Sequence, residues 1–283
     1  SVSAGMGLVM NNSFSLGKTA MLQDFGRQRN ALRPHTSASE NGYMQGAAAT
    51  IRLSDAIRLT PFLSYRKTDA TLNDDGSISS LIYTGYHRTL SELNKKNNTS
   101  LTAGGMNARW NLEDFSLGAT AVFTHINRPL SPNKSATYKK IYPEGSNFFN
   151  ASLNYSWLHY PFSVNGETAI NANGAIATLN TLGWHLSQYV EVMGIYRFYS
   201  FNYYSLYANA FSEGGKTQNE SGLYLGVRWQ PKYGIDIQAY TDLAYFAWPR
   251  YGMSQSSYAI DNVVSASYKT GKWLLSGKYR LHF

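Results

Sequence analysis

The sequence predicts an all-β fold: a transmembrane antiparallel β-barrel of the outer-membrane kind, forming one domain over residues 1–283. Three observations predict it. Apolar and polar side chains alternate with period two over segments of about 10 residues. Aromatic residues make up 14% of the chain and charged residues only 15%, and the aromatics gather at segment ends. The connections alternate between long and short.

Taken in order, the strand-like segments are 2–10, 43–53, 56–67, 99–111, 114–126, 147–158, 161–171, 174–184, 188–199, 219–230, 234–246, 258–269 and 272–283, about 13 in all. Successive side chains of a strand point to opposite faces. Ile57, Leu59, Pro61, Leu63 and Tyr65 therefore share one face, against Arg58, Thr60, Ser64 and Arg66 on the other, where Phe62 is the exception. Phe115, Leu117, Ala119, Ala121 and Phe123 alternate with Ser116, Gly118, Thr120 and Thr124. Phe149, Ala151, Leu153, Tyr155 and Trp157 do so with Asn150, Ser152, Asn154 and Ser156. Leu223, Leu225, Val227 and Trp229 oppose Tyr224, Gly226 and Arg228, while Ile235, Ile237, Ala239, Leu243 and Tyr245 oppose Asp236, Gln238 and Asp242. The last segment sets Trp273, Leu275, Tyr279, Leu281 and Phe283 against Ser276, Lys278, Arg280 and His282. Aromatics at the ends of apolar faces suit the interfacial girdles of a membrane barrel.

Long gaps fall at 11–42, 68–98, 127–146, 200–218 and 247–257, and short ones at 54–55, 112–113, 159–160, 185–187, 231–233 and 270–271. The connection near Ala172 and Asn173 is short where a long one is due. Outer-membrane barrels have short periplasmic turns and longer outer loops, which places 11–42 outside. An odd strand number with the last strand running outward predicts a fragment of a larger even-stranded barrel. The terminal Phe283 argues the other way, resembling the end of complete barrels. The loop pattern rests on many gaps and outweighs one residue.

No run reaches the 18 or more apolar residues of a membrane helix, and mean hydropathy is −0.34. A closed barrel is the other way to satisfy every backbone group in lipid. The chain contains no cysteine, which excludes disulfides and thiolate metal sites. It opens Ser1-Val2-Ser3, as a mature form or an internal piece would. The net charge of +8 has three readings: loops against anionic headgroups or lipopolysaccharide, an interior tuned for anions, or nucleic-acid contact.

Motifs that carry chemistry are weak. Ser15-Leu16-Gly17-Lys18-Thr19 and Gly215-Lys216-Thr217 end like phosphate loops, but the earlier glycine is replaced by Asn12 and Ala210, so both read as surface loops. Asp74-Asp75-Gly76-Ser77 reads as a tight turn before a calcium loop. The histidines His35, His87, His125, His159, His185 and His282 are scattered without metal-ligand spacing. His159 and His185 fall at the short turns, and His87 with Asp74 and Asp75 is the nearest approach to a hydrolytic set. The expectation is no enzyme, no cofactor and no metal. The polar faces carry Arg52, Arg58, Arg66, Arg109, Arg197, Arg228, Lys278 and Arg280 with Glu167, Glu191, Asp236 and Asp242. They read first as cross-strand ion pairs bracing the wall, because an unpaired buried charge is costly. The 11–42 loop is basic, with Lys18, Arg27, Arg29, Arg33 and His35 against Asp24 and Glu40. A loop of that length is functional or disordered; it either folds inward as a plug or caps the outside.

Several stretches carry a family resemblance: Gly7-Leu8-Val9-Met10-Asn11-Asn12-Ser13-Phe14-Ser15-Leu16-Gly17-Lys18, Gly46-Ala47-Ala48-Ala49-Thr50, Asp74-Asp75-Gly76-Ser77-Ile78-Ser79-Ser80-Leu81 and Thr84-Gly85-Tyr86-His87-Arg88-Thr89. Later come Phe148-Phe149-Asn150-Ala151-Ser152, Gly166-Glu167-Thr168-Ala169, Gly174-Ala175-Ile176-Ala177-Thr178-Leu179-Asn180 and Tyr207-Ala208-Asn209-Ala210-Phe211. Together they resemble the barrel portion of Bacteroidota outer-membrane proteins that carry an N-terminal helix-hairpin-helix segment of the DNA-uptake type. The resemblance implies the outer membrane of a Gram-negative bacterium, with the lipid bilayer, lipopolysaccharide and other envelope proteins as partners. Nucleic acid would be met only through the helix-hairpin-helix segment, which these residues lack. The family's barrel also continues beyond Phe283, and no catalytic residue carries over. The expected function is a pore-like barrel or an assembly platform, with a link to nucleic-acid uptake through the resemblance. The alternatives are a structural or adhesive barrel with a blocked lumen and partner-binding outer loops, and an outer-membrane hydrolase.

Overall fold

The structure, a computed structural model, describes residues 2–11, 18, 22, 31–32, 43–231 and 234–283. Among these, β1 (Val2–Ser3) and β2 (Ala31–Leu32) form a small ladder of their own. Fifteen further strands make one sheet. It holds β3 (Gly46–Ala48), β4 (Ile51–Arg52), β5 (Ile57–Thr68), β6 (Ala70–Leu72), β7 (Ile78–Leu81), β8 (Thr99–Asn111) and β9 (Phe115–Leu130). It continues through β10 (Gly145–His159), β11 (Phe162–Asn171), β12 (Ile176–Ser187), β13 (Val190–Tyr199), β14 (Glu220–Trp229), β15 (Ile235–Phe246), β16 (Ser257–Thr270) and β17 (Trp273–His282). A single helical turn, α1 (Leu90–Leu93), lies in the connection after β7.

The sheet is an antiparallel meander. Its main path runs β3-β5-β8 and then in chain order to β17, with β4 paired beside β3 on β5. Tight turns at one end and longer connections at the other follow from that order. The sheet is open: among the described residues no ladder joins β17 to β3 or β4.

Hydropathy is arranged the wrong way round for a water-soluble sheet. Leu153 is 69% exposed, whereas Asn154 beside it is 2% exposed. The outward rows include Leu63, Leu182, Leu225 and Val264, and the inward rows Ser152, Ser156, Asn165, Thr181 and Gln238. Inward polar groups satisfy one another across strands: Ser156 Oγ donates to Asn165 Oδ1 at 2.7 Å, as their pairing in register allows. Trp110, Trp157, Trp184, Trp229 and Trp273 are all exposed and all lie beside tight turns, forming an aromatic rim at that end.

What fills the concave side is the chain's own beginning. Met6, Leu8, Val9 and Met10, with Leu22, pack in one apolar cluster with Phe62 of β5, Val122 of β9, Ala169 of β11, Ile195 of β13, Tyr224 of β14, Tyr240 of β15 and Val263 of β16. Strands so far apart in the path meet one cluster only because the sheet curls around it. Phe62, the apolar exception on a polar face, belongs to this cluster.

Two expectations are corrected. Residues 2–10 are not a wall strand: only Val2 and Ser3 are extended, and 4–10 turn inside the sheet. Gly5 and Gly7 adopt φ of +62° and +99°, which breaks a strand and is open to glycine at little cost. The wall path therefore holds twelve strands in place of about 13. The segment at 43–53 divides into β3 and β4 opposite Pro61, whose carbonyl accepts from Ala49 but which has no N–H to return. The long connection after β5 has structure of its own. It carries the β6–β7 hairpin, closed by the expected turn at Asp75, whose carboxylate accepts from the Ser77 N–H at 2.9 Å. Thr89 and Glu92 then form a capping box on α1.

Candidate functional site

The interior holds the densest polar chemistry, and it forms two groups around the inserted segment. In the first, Glu167 of β11, 1% exposed, accepts from the Met6 and Leu8 backbone N–H groups at 2.6 and 3.1 Å. Successive amides aimed at one carboxylate make an anion cradle, here used to hold the chain to itself. The other side of the segment is fixed as closely. Tyr203 Oη donates to the Leu8 carbonyl at 2.7 Å, Ser205 Oγ to that of Val9 at 3.0 Å, and the Asn209 N–H to that of Gly7 at 2.8 Å. At Gly5 a β-carbon would stand 2.5 Å from the Glu167 carboxyl, and at Gly7 one would stand 2.5 Å from the Asn209 carbonyl. The segment fits only because these positions lack side chains.

In the second group, Arg197 of β13 is fully buried between Glu220 at 2.5 Å and Asp242 at 2.7 Å. Asp242 and Asp261 face each other across β15 and β16. Two opposed carboxylates repel unless a cation intervenes, and Lys18 does so: its Nζ lies 2.6 Å from Asp242 and 2.9 Å from Asp261, and it also pairs with Glu213. Arg280 of β17 completes the set on Asp261 at 2.7 Å, and His282 Nε2 lies 3.1 Å from Glu213. The expectation of a surface loop at Lys18 is thereby corrected. Its ammonium points inward because three carboxylates converge there, and the Tyr224 hydroxyl donates to its carbonyl at 2.8 Å. Leu22 is buried beside it. Arg27, Arg29, Arg33 and His35 lie outside the described residues.

The other polar-face charges separate by position. Arg228 pairs with Asp236 at 2.6 Å and reaches Glu191 at 3.7 Å, with His185 on Glu191 at 3.3 Å, half-buried near the tight turns. Arg109 and Arg58 stand opposite each other on β8 and β5; Arg109 turns to Asn111 at 2.7 Å and Ser116 at 3.3 Å, and Arg58 is exposed. Arg52 is exposed and pairs with Asp55 in the adjoining turn. Lys278 is exposed on the edge strand β17. Arg66 of β5 is 4% exposed and stands over the Tyr43 ring at 5.6 Å.

Sequence reasoning did not single out Asp69, Glu213, Glu220 or Asp261. His87 meets Asp69 at 2.7 Å, not Asp74 or Asp75, so the imagined hydrolytic grouping is not assembled. The signal for Asp261 was available only through the register that sets it against Asp242. Among the described residues no cluster of His, Asp and Glu is arranged to hold a metal. Among the described residues, the buried acids Glu167, Glu220, Asp242 and Asp261 are each engaged by a cation or by backbone amides, an arrangement suited to holding a segment in place. Compared with known proteins, the chain matches no family model and no curated protein.

Proposed function

We propose that this chain forms the wall of an outer-membrane β-barrel whose lumen is occupied by its own inserted segment, serving as an envelope platform and not as an open pore. The observation that carries the reading is the outward apolar face. Soluble monomers rarely expose contiguous apolar patches beyond a few hundred Å², roughly, yet here the outward rows of successive strands are leucine, valine and aromatic. Hydrocarbon is the surrounding that makes such a face favourable, and the tryptophan rim by the tight turns suits one bilayer interface. The occupied interior supports a blocked lumen over an open channel. Within a bilayer the edges of β3–β4 and β17, which carry no further ladder among the described residues, need partners, because an unpaired edge finds no water there. The reading therefore includes further strands that close the sheet into a larger even-stranded barrel. The resemblance to helix-hairpin-helix-bearing Bacteroidota proteins supports the envelope location and assigns nucleic-acid contact to that segment of the family, not to these strands.

Reconstitution tests it. In detergent the protein should give a strand-rich circular dichroism spectrum and should precipitate on detergent removal. In planar bilayers it should insert without steady conductance. A monomer that stayed soluble without detergent would refute the membrane reading, and stable ohmic channels would refute the blocked lumen.

A further inference from the structure

The residues that fill the lumen are held as a bound peptide is held. The Met6 and Leu8 N–H groups donate to the Glu167 carboxylate. The carbonyls of Gly7, Leu8 and Val9 accept from the Asn209 N–H, Tyr203 Oη and Ser205 Oγ. A strand of the wall is held differently: β10 and β11 pair at ten successive positions. Residues 4–10 make a single bridge among the described residues, Met10 to Tyr207. Hydrogen bonds to the ligand's main chain with pockets for its side chains are the usual terms of peptide recognition.

The side chains define which peptide fits. Met6, Leu8 and Met10 are at most 2% exposed and enter the apolar cluster, where an unbranched thioether adapts to an irregular space. Position 7 admits only glycine. Its φ is +99°, and a β-carbon there would stand 2.5 Å from the Asn209 carbonyl oxygen, a backbone atom with little freedom to retreat. The fitting pattern is therefore glycine alternating with a bulky apolar residue, as in Gly5-Met6-Gly7-Leu8.

The two sides of this groove are built differently. Glu167 belongs to β11, which is paired along both edges. Tyr203, Ser205 and Asn209 all belong to the connection between β13 and β14. Side chains tie that connection down: Asn150 Nδ2 donates to the Tyr204 carbonyl and Gln218 Nε2 to that of Phe201, both at 2.8 Å. A side fastened in this way lifts without breaking a wall ladder, which gives a peptide a route in and out. We infer that the lumen is a peptide-binding groove with residues 4–10 as its ligand in cis, and that a glycine-alternating apolar peptide presented by another chain takes their place. This exchange rests on the occupied lumen of the proposed function; binding in micelles tests it apart from conductance, which tests that reading.

The probe is a fluorescent peptide of residues 1–12, titrated by anisotropy into the full chain in detergent micelles. In the native chain the tethered segment competes at high effective concentration, so the probe should bind weakly. The Gly7→Ala chain cannot seat its own segment. It should bind the probe at least about tenfold more tightly than the native chain does, with an unchanged dichroism spectrum. A probe carrying the same Gly7→Ala change should bind neither chain. Equal binding of the two probes, or no gain in the Gly7→Ala chain, would overturn the exchange. Amide exchange in the native chain needs no variant: the Met6 and Leu8 N–H groups should exchange by local release, faster than the amides of β11. Exchange as slow as those wall amides would make the segment part of the folded core, and would equally overturn it.

Discussion

Two groups of cations in this molecule differ in what surrounds them. Inside the curled sheet, Lys18 and Arg197 face Glu213, Glu220, Asp242 and Asp261 at contact distance. At the long-connection end, Arg66 and Lys216 line a cleft with the rings of Tyr83, Tyr142, Tyr204 and Tyr207. The first set is neutralised within the fold, so its chemistry is spent on structure. The second is set against aromatic rings, Arg66 over Tyr43 at 5.6 Å and Lys216 over Tyr142 at 4.9 Å. The sequence sets Arg66 and Arg197 alike on polar strand faces and Lys18 and Lys216 alike in loops; their neighbours separate each pair.

The largest effect should come from breaking the neutralised set. Arg197→Met leaves Glu220 and Asp242 buried without their shared partner, which costs about 3–5 kcal/mol; urea unfolding in micelles measures it. A loss below about 1 kcal/mol would mean that Lys18 and water suffice. Next is Glu167→Ala, which leaves the Met6 and Leu8 amides without their acceptor at a cost of about 1–3 kcal/mol. The inserted segment should then become open to protease and the bilayer conductance should rise. If neither changes, the segment is held by its apolar contacts. At the cleft the contrast reverses: Lys216→Ala should alter stability by no more than about 0.5 kcal/mol in the same urea unfolding, since Lys216 is exposed.

The smallest effect is local and pH-dependent. Hydrogen bonds from the Arg88 and Thr89 backbone N–H groups hold the Glu92 carboxyl below its ordinary value. A depressed carboxylate stabilises the fold above its unfolded value, and that contribution is lost as pH falls through the folded one. Amide protection factors in 89–94, taken relative to intrinsic exchange at each pH, should therefore fall as the pH drops below the ordinary glutamate range, and Glu92→Gln should remove much of that pH dependence. Exchange indifferent to acid would show that the capping box contributes nothing to α1.

The wall was legible in the sequence because period two is a local signal. The segment read as 99–111 is β8, and those read as 161–171 and 234–246 lie within a residue of β11 and β15. The inserted segment was misread for the same reason: Met6, Leu8 and Met10 alternate with Gly7 and Val9 as a strand would. Hydropathy cannot tell a strand that faces lipid from a segment that the sheet enfolds, although glycines at 5 and 7 were a warning. The charge network was only half legible. Arg197 and Asp242 could be placed on polar faces, but the cation that separates Asp242 from Asp261 comes from Lys18, more than two hundred residues away in the chain. The cleft was not legible at all, because its tyrosines lie in connections that carry no periodicity. Arg52 and Lys278 were assigned to the interior yet are exposed, since they lie at or beside edges of the sheet that carry no further ladder among the described residues.

The absence of cysteine permits the most direct test of a lipid-facing wall. Single cysteines at Ala151, Ser152, Leu153, Asn154 and Tyr155 on β10 can carry spin labels in reconstituted vesicles. A bilayer-embedded wall gives strong collisions with oxygen dissolved in lipid at Ala151, Leu153 and Tyr155, and weak ones at Ser152 and Asn154. High access of a water-soluble nickel reagent at Leu153, or accessibility without a two-residue period, would contradict it.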